Sequence, residues 1–226
     1  MSKINLQLLT KEQILLLDLF SHEKSITDKF ILSGGTALTT FYIPYRYSDD
    51  LDFFSQEEVQ LDAIVAWLKS KKEKINYVSF DFSTTFNRNI FFIKFLSGTT
   101  IKLEFTYYPF TTIAQGAKFN QLDIDSELDI ATNKLFTIYQ NPRLRDFTDL
   151  YELIGKNNFD FMNLIIKAKT KFDWDINYIQ LSKQLQKVHI KENIPKFFNG
   201  YDFKKLETYF EEIIKKLLTQ NFDISR

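Results

Sequence analysis

Asp50 and Asp52 stand two residues apart in Tyr47 to Phe54, a segment whose end alternates polar and apolar residues. Side chains on a strand alternate between faces, so both carboxylates would project to one side while Leu51 and Phe53 enter a core. Ile101-Lys102-Leu103-Glu104-Phe105 repeats the pattern, with Glu104 on the polar face and Ile101, Leu103 and Phe105 on the other. If the two strands are neighbours, three carboxylates converge. Such oxygen donors suit Mg²⁺ or Mn²⁺, which keep waters and bind substrate phosphates. Two ions held this way can activate an attacking oxygen and stabilise a leaving one. A solvated strand face in a chain with 29 acidic residues would show the same spacing, so the pair needs a companion. Gly34-Gly35-Thr36, which closes the apolar run Phe30-Ile31-Leu32-Ser33, supplies one. Two glycines let backbone N–H groups approach a phosphate, and the helix start behind them adds a favourable dipole. Thr36 would cap that helix and offer its hydroxyl to the same phosphate. Taken alone, the turn is an ordinary strand-to-helix connection. Followed by Asp-x-Asp on the next strand, it sets phosphate-binding and metal-binding groups side by side.

Composition removes the competing chemistries. The 226 residues contain no cysteine, which excludes a disulfide scaffold, a thiolate zinc site and a cysteine nucleophile. The two histidines, His22 and His189, argue against a histidine-based triad or a His-rich metal site. With 29 basic and 29 acidic residues the net charge is zero, which argues against a generally basic coat for nucleic acid but leaves room for a local basic groove. No segment is apolar for long enough to span a membrane, and Met1-Ser2-Lys3-Ile4-Asn5 lacks the features of a signal peptide. A cytoplasmic protein is the expectation, with no membrane partner.

The positioning elements follow from periodicity. Residues 11–22 read as a helix with Thr10 as N-cap, 30–33 as a strand, 36–42 as a short helix stopped by Pro44, and 47–54 as the acidic strand. A helix is predicted over 57–74 and strands over 77–83, 90–96 and 100–107, the last two joined by a hairpin at Ser97-Gly98-Thr99. Helices are predicted over 126–140, 143–155, 158–169, 177–187 and 202–219, with Asn199-Gly200 between the last two. The composition shifts near residue 120, from an α/β half to an all-α half.

Ser33-Gly34-Gly35-Thr36, then Asp50-Leu51-Asp52, then Glu104, resemble the signature of the DNA polymerase β-like nucleotidyltransferase superfamily. The longer string Gly34-Gly35-Thr36-Ala37-Leu38, followed by Arg46-Tyr47-Ser48-Asp49-Asp50-Leu51-Asp52, is similar to a narrower group, the AbiEii/AbiGii toxin nucleotidyltransferases. That group's first motif reads Gly-Gly-Thr-x-Leu, then Arg-x-Ser-x-Asp-x-Asp. Lys134-Leu135 and Arg145-Asp146-Phe147-Thr148-Asp149-Leu150-Tyr151 resemble its Lys and Arg-Asp-x-x-Asp-Leu motifs. The likeness covers roughly residues 30–155. Members often carry an arginine where Asn141 falls, for which Arg143 would substitute from a shifted position. No motif lies between Asp52 and Glu104, so Asp81, set between Phe80 and Phe82, competes with Glu104 as third carboxylate.

The resemblance implies an α+β fold: a polymerase β-like nucleotidyltransferase domain with a mixed sheet over residues 1–120, then an all-α bundle over 121–226, with the active site in the cleft between them. It implies a Mg²⁺-dependent enzyme in which Asp50, Asp52 and Glu104 hold two ions and an acceptor hydroxyl attacks the NTP α-phosphate. Gly34, Gly35, Thr36 and Arg46 would hold the triphosphate, with Lys134 and Arg145 supporting it. Arg46 could equally pair with Asp49 or Asp50, and Ser48 could cap the strand start rather than bind phosphate. Asp146 would orient Lys134, act as general base, or simply stabilise its helix dipole; Asp149 would fix Arg143 or Arg145. The aromatic stretch Tyr107-Tyr108-Pro109-Phe110 and Lys167, Lys169 and Lys171 could contact RNA, although a solvated helix face explains the lysines as well. The implied protein is the toxin of a bacterial toxin–antitoxin or abortive-infection system, with a separately encoded protein antitoxin, GTP or CTP as candidate substrates and tRNA as acceptor. The alternatives are an enzyme that modifies a protein or small molecule with a nucleotide, and a degenerate member that only binds one.

Overall fold

The computed structural model describes residues 4–224. Met1-Ser2-Lys3, part of the segment read above for a leader, lies outside them. The chain divides into two compact units, Met1–Ser126 and Glu127–Arg226. Among the described residues no helix is long and apolar enough to cross a membrane.

The first unit is a mixed sheet of, among the described residues, seven strands. They are β1 (Ile31–Ser33), β2 (Asp50–Ser55), β3 (Tyr77–Thr85), β4 (Arg88–Phe95), β5 (Thr100–Tyr107), β6 (Lys118–Phe119) and β7 (Leu122–Ile124), in the order β3-β4-β5-β2-β1-β7-β6. The meander β3–β4–β5 is antiparallel, and Gly98 makes its second turn with φ +83°, a conformation glycine adopts without cost. β5 then lies parallel to β2, and β1 runs antiparallel on β2's other side. One face of this sheet carries the fully buried Leu32, Leu51, Phe53, Phe91, Leu103 and Phe105. The helices α1 (Lys11–Ser21) and α4 (Leu61–Ser70) supply Phe20 and Trp67, which stack at 4.4 Å, and Phe20 meets Phe53 at 5.0 Å. The short helices α2 (Lys24–Thr27), α3 (Gly34–Phe41) and α5 (Lys72–Ile75) complete the unit.

Three local differences from the sequence reading have simple causes. The helix expected over 57–74 is split into α4 and α5 at Lys71, and Asn76 ends it in the left-handed region at φ 57°. The strand expected from residue 47 starts at Asp50, because the backbone carbonyls of Ser48 and Asp49 are taken by the Gln13 side-chain amide at 3.1 and 3.0 Å instead of a ladder partner. β6 and β7 have two and three residues, too few for alternation to show, yet β7 pairs parallel with β1 and extends the sheet to Ile124.

The second unit is helical: α6 (Glu127–Gln140), α7 (Leu144–Asn157), α8 (Phe161–Phe172), α9 (Tyr178–Leu185) and α10 (Phe203–Ile224). Its interior holds Leu135, Phe147, Leu150, Ile165, Leu181 and Phe210, with Phe147 edge-on to Phe210 at 5.3 Å. Asp160 and Asn177 cap α8 and α9 by accepting from the N–H of Asn163 and Gln180, which is why both helices start later than their periodicity suggests. Lys171 overturns its reading as a solvated or RNA-facing lysine. Its side chain is 3% exposed and pairs with the fully buried Asp129 at 2.7 Å. Lys169 is tied to Asp175 at 2.9 Å.

Candidate active site

The local fold brings the glycine turn onto the acidic strand. α3 begins at Gly34, directly after β1, and Gly34 takes φ +73°. A Cβ at Gly34 would overlap the Asp52 carboxylate, with Asp52 Cγ only 3.2 Å away. A Cβ at Gly35 would meet Arg46 Nη2 at 2.6 Å and Ser48 Oγ at 2.8 Å. Five of the residues singled out in the sequence therefore share one spot: Gly34, Gly35, Arg46, Ser48 and Asp52. Gly34→Ala is expected to cost 1–2 kcal/mol, on the order of the usual left-handed penalty, and to displace Asp52. Thermal melts and transfer rates should fall together in this variant; a wild-type rate would show that Asp52 need not sit where it does.

Two of the expected triphosphate contacts are committed elsewhere. Thr36 is fully buried, does not cap α3, and donates its hydroxyl to the backbone carbonyl of Asp50; the N-cap is Ser33. Arg46 is 3% exposed, and its Nη1 donates to Tyr47 O at 2.8 Å and its Nε to Tyr45 Oη at 3.2 Å. Both residues fasten β2 to the turn rather than reach outward.

Parallel pairing sets Asp50 opposite Lys102 and Asp52 opposite Glu104, so the three carboxylates lie on one face of adjacent strands. Asp81 sits on the edge strand β3, where it is 68% exposed and pairs with Lys94 at 2.7 Å. Glu104 accepts from Arg88 Nε at 2.5 Å and Nη2 at 2.7 Å, and lies 3.1 Å from Lys102 Nζ, which also reaches Asp50 at 3.1 Å. Among the described residues no three carboxylate or imidazole groups close on a common metal point; the Lys102 ammonium stands between Asp50 and Glu104.

These contacts set the electrostatics. Burial acts to raise the pKa of Glu104, but the hydrogen bonds and charges of Arg88 and Lys102 outweigh it and hold the carboxyl at about 2. Burial acts to lower the pKa of Lys102, and Asp52, Asp50 and Glu104 together raise it above its ordinary value. A carboxyl depressed from 4.5 to about 2 contributes its full stability above pH 4.5 and loses it as pH falls toward 2. Because Arg88 is half in solvent, the contribution is put at up to about 2 kcal/mol. In metal-free buffer, Glu104→Gln should flatten the fall of melting temperature between those two pH values; an unchanged acid profile would contradict the assignment.

In the second unit, Lys134 Nζ donates to Asp146 at 2.8 Å and pairs with Asp149 at 2.6 Å, and both carboxylates have fully buried side chains. Arg143 adds its Nε to Asp146 at 3.0 Å, and its backbone N–H donates to the same carboxylate at 3.2 Å. Burial would raise the pKa of Asp146, but Lys134 and Arg143 outweigh it and hold it low. Asp146 thus orients Lys134 and secures the start of α7. Asp149, expected to fix an arginine, pairs with Lys134. Arg145 is half-buried in the first turn of α7.

The chain matches the family described as "Nucleotidyl transferase AbiEii toxin, Type IV TA system" over residues 17–223. It belongs to the AbiEii nucleotidyltransferase family. An uncharacterised protein of Aquifex aeolicus is 29% identical to this AbiEii member over 208 residues, which cover 85% of this chain and 90% of the relative. The crystal structure of JHP933 from Helicobacter pylori aligns with 99% of this chain and 98% of its own, at 18% identity and a TM-score of 0.57. A second H. pylori crystal structure aligns with 94% of this chain and 99% of its own, at 19% identity and a TM-score of 0.57. These likenesses establish the α+β nucleotidyltransferase fold, with its mixed sheet and helical C-terminal part.

Sequence reasoning did not find several AbiEii residues around the carboxylates. Lys102 was legible in principle, since it stands two residues before Glu104 on the same strand face. Gln13 announces itself only as the partner of Thr10 in a capping box, not as the clamp on Ser48 and Asp49. Ser33, in register with Asp52, donates to the buried Asp125 at 2.6 Å, and Arg88 reaches Glu104 from the neighbouring strand. Neither pair has any local signal.

Proposed function

We propose that this AbiEii member transfers a nucleotide from an NTP to the terminal hydroxyl of a tRNA, and that it acts as the toxin of a bacterial toxin–antitoxin or abortive-infection system opposed by a separately encoded protein antitoxin. The observation that carries the reading is the seating of the Gly34-Gly35 turn against Asp52, with Asp50 on the same strand and Glu104 opposite. Asp50, Asp52 and Glu104 place hard carboxylate oxygens on one face, the donor type Mg²⁺ or Mn²⁺ takes. To hold such ions Asp50 and Glu104 would exchange the Lys102 ammonium, and Glu104 also Arg88, for the metal. Bound by Asp50, Asp52 and Glu104, the ions would lower the pKa of the attacking hydroxyl and offset the charge of the leaving pyrophosphate.

The chain's own residues do the positioning. The N–H groups of the glycine turn, at the start of α3, bind phosphate oxygens, and Ser48 Oγ beside Gly35 adds a donor. Arg46, Thr36 and Gln13 hold that turn and the start of β2 rigid, so the reacting atoms meet a preorganised site. In this reading Lys134 and Arg145 meet substrate phosphate, as the resemblance implies, and Asp146 and Asp149 direct the Lys134 ammonium. GTP and CTP are the candidate donors. Incubation with each α-labelled NTP, in the presence of total tRNA or of protein extract, tests this function. Label on tRNA is the expected result, and label on protein alone would replace the acceptor.

A further inference from the structure

The face that carries the three carboxylates does not end at β5. Glu104 stands opposite Ile90 of β4, and Ile90 opposite Ser83 of β3; in the next row Lys102 faces Phe92, and Phe92 faces Asp81. Opposed residues project to the same side of a sheet, so Arg88, Phe92 and Lys94 share the acidic face while Phe91 and Ile93 are fully buried on the other. Phe92 is 40% exposed in the middle of an interior strand, where a polar side chain would be the ordinary occupant. On the same face of its strand, Lys94 is the next residue on one side and Arg88 lies beyond Ile90 on the other, with side chains 52% and 53% exposed. Lys94 pairs with Asp81 at 2.7 Å, an exposed pair that a phosphate can replace, and Lys102 lies directly across. Arg88 spends Nε and Nη2 on Glu104, which leaves Nη1 with no hydrogen-bond partner among the described residues.

The two flanks of the carboxylates are chemically different. The β1 flank holds the Gly34-Gly35 turn, the phosphate end of the site. An attacking hydroxyl must approach roughly in line with the departing pyrophosphate and from the opposite side. That leaves the β5–β4 flank for the acceptor. We propose that the exposed face of β4, centred on Phe92 between Arg88 and Lys94, is the platform on which the terminal bases of a single-stranded RNA acceptor stack, with Arg88 and Lys94 meeting its phosphates. The inference rests on the nucleotidyl-transfer reading above. A ring accepts any base, because every base has a π-face, and flanking cations match the backbone charge. The RNA end is favoured over a protein partner because an open ring set between two half-exposed cations complements alternating bases and phosphates, not an apolar surface.

The test is direct binding of a fluorescein-labelled single-stranded RNA with a free 3′ end, read by anisotropy for wild type, Phe92→Ala, Phe92→Tyr and Lys94→Ala. Calorimetric NTP binding is the control. Phe92→Ala should weaken RNA binding on the order of tenfold, Phe92→Tyr should restore it, and NTP binding should not change. Lys94→Ala should reduce the slope of log K against log salt by about 0.7. If wild type binds no single-stranded RNA, or Phe92→Ala binds it as wild type does, the platform is overturned and the face is left to a protein partner. RNA binding that depends on Phe92 in a protein that transfers no nucleotide would keep the platform and remove the transfer reading. Transfer to RNA that is indifferent to Phe92 would do the reverse.

Discussion

Asp52→Asn should reduce nucleotide transfer by on the order of a thousandfold or more while leaving the melting temperature close to wild type. The substitution is nearly isosteric, so the close approach to Gly34 survives, and the side chain lies on the face of β2 opposite the core residues Leu51 and Phe53. What is lost is a negative oxygen at the point where the phosphate turn meets the acidic face. Asp50→Asn should behave similarly, with a complication that separates the two. Asp50 accepts from Lys102 at 3.1 Å, so its neutralisation also releases that ammonium toward Glu104. Steady-state transfer rates with both variants, beside thermal melts, give the comparison. A variant that keeps its rate would remove that carboxylate from the reacting set, and a collapsed melting temperature would mean its role is structural.

Lys134→Met should strongly destabilise the helical unit. Asp146 and Asp149 have no exposed side-chain surface, and Lys134 is 2.8 Å from one and 2.6 Å from the other. Removing the shared cation leaves two like charges buried together. Breaking a buried pair by deleting one partner costs about 3–5 kcal/mol, which in a chain of this size lowers the melting temperature on the order of 10 °C. Arg143 still contacts Asp146 but is itself half in solvent, so it offsets little of the loss. Lys134→Arg keeps the charge and should recover most of the stability. An unchanged melting temperature for Lys134→Met would show that the two carboxylates do not depend on this ammonium. A loss of transfer in Lys134→Met therefore reports on substrate only if the folded fraction is measured alongside.

The parts of the site legible in the sequence were those with a local period. Alternation in Asp50-Leu51-Asp52-Phe53 and in Leu103-Glu104-Phe105 placed each carboxylate opposite a core residue, and Leu51, Phe53, Leu103 and Phe105 are indeed fully buried or nearly so. Two glycines after an apolar run marked the turn, and the positive φ of Gly34 shows why one of them is required. What could not be read was anything set by pairing between distant segments. Strand period says which face Glu104 occupies but not that β5 lies parallel to β2 with Glu104 opposite Asp52. The same limit hid Ser33 with Asp125, Gln13 with the carbonyls of Ser48 and Asp49, and Lys171 with Asp129. Thr36 was misread for a related reason. A threonine at a helix start usually caps, but here the helix begins two residues earlier and the hydroxyl points to the neighbouring strand. Nothing in the spacing of Arg46 distinguishes an arginine that reaches solvent from one buried under a turn.

In the proposed reaction, the bond between the α- and β-phosphates of an NTP breaks at the face of Asp50, Asp52 and Glu104, and the α-phosphate joins an acceptor hydroxyl. Parallel reactions with α-labelled and γ-labelled NTP, in the presence of Mg²⁺ and total tRNA, test it most directly. The α-label should appear on tRNA and the γ-label only in pyrophosphate, and both signals should vanish with Asp52→Asn. A γ-label on the acceptor, or release of labelled phosphate with no α-label transferred, would contradict it.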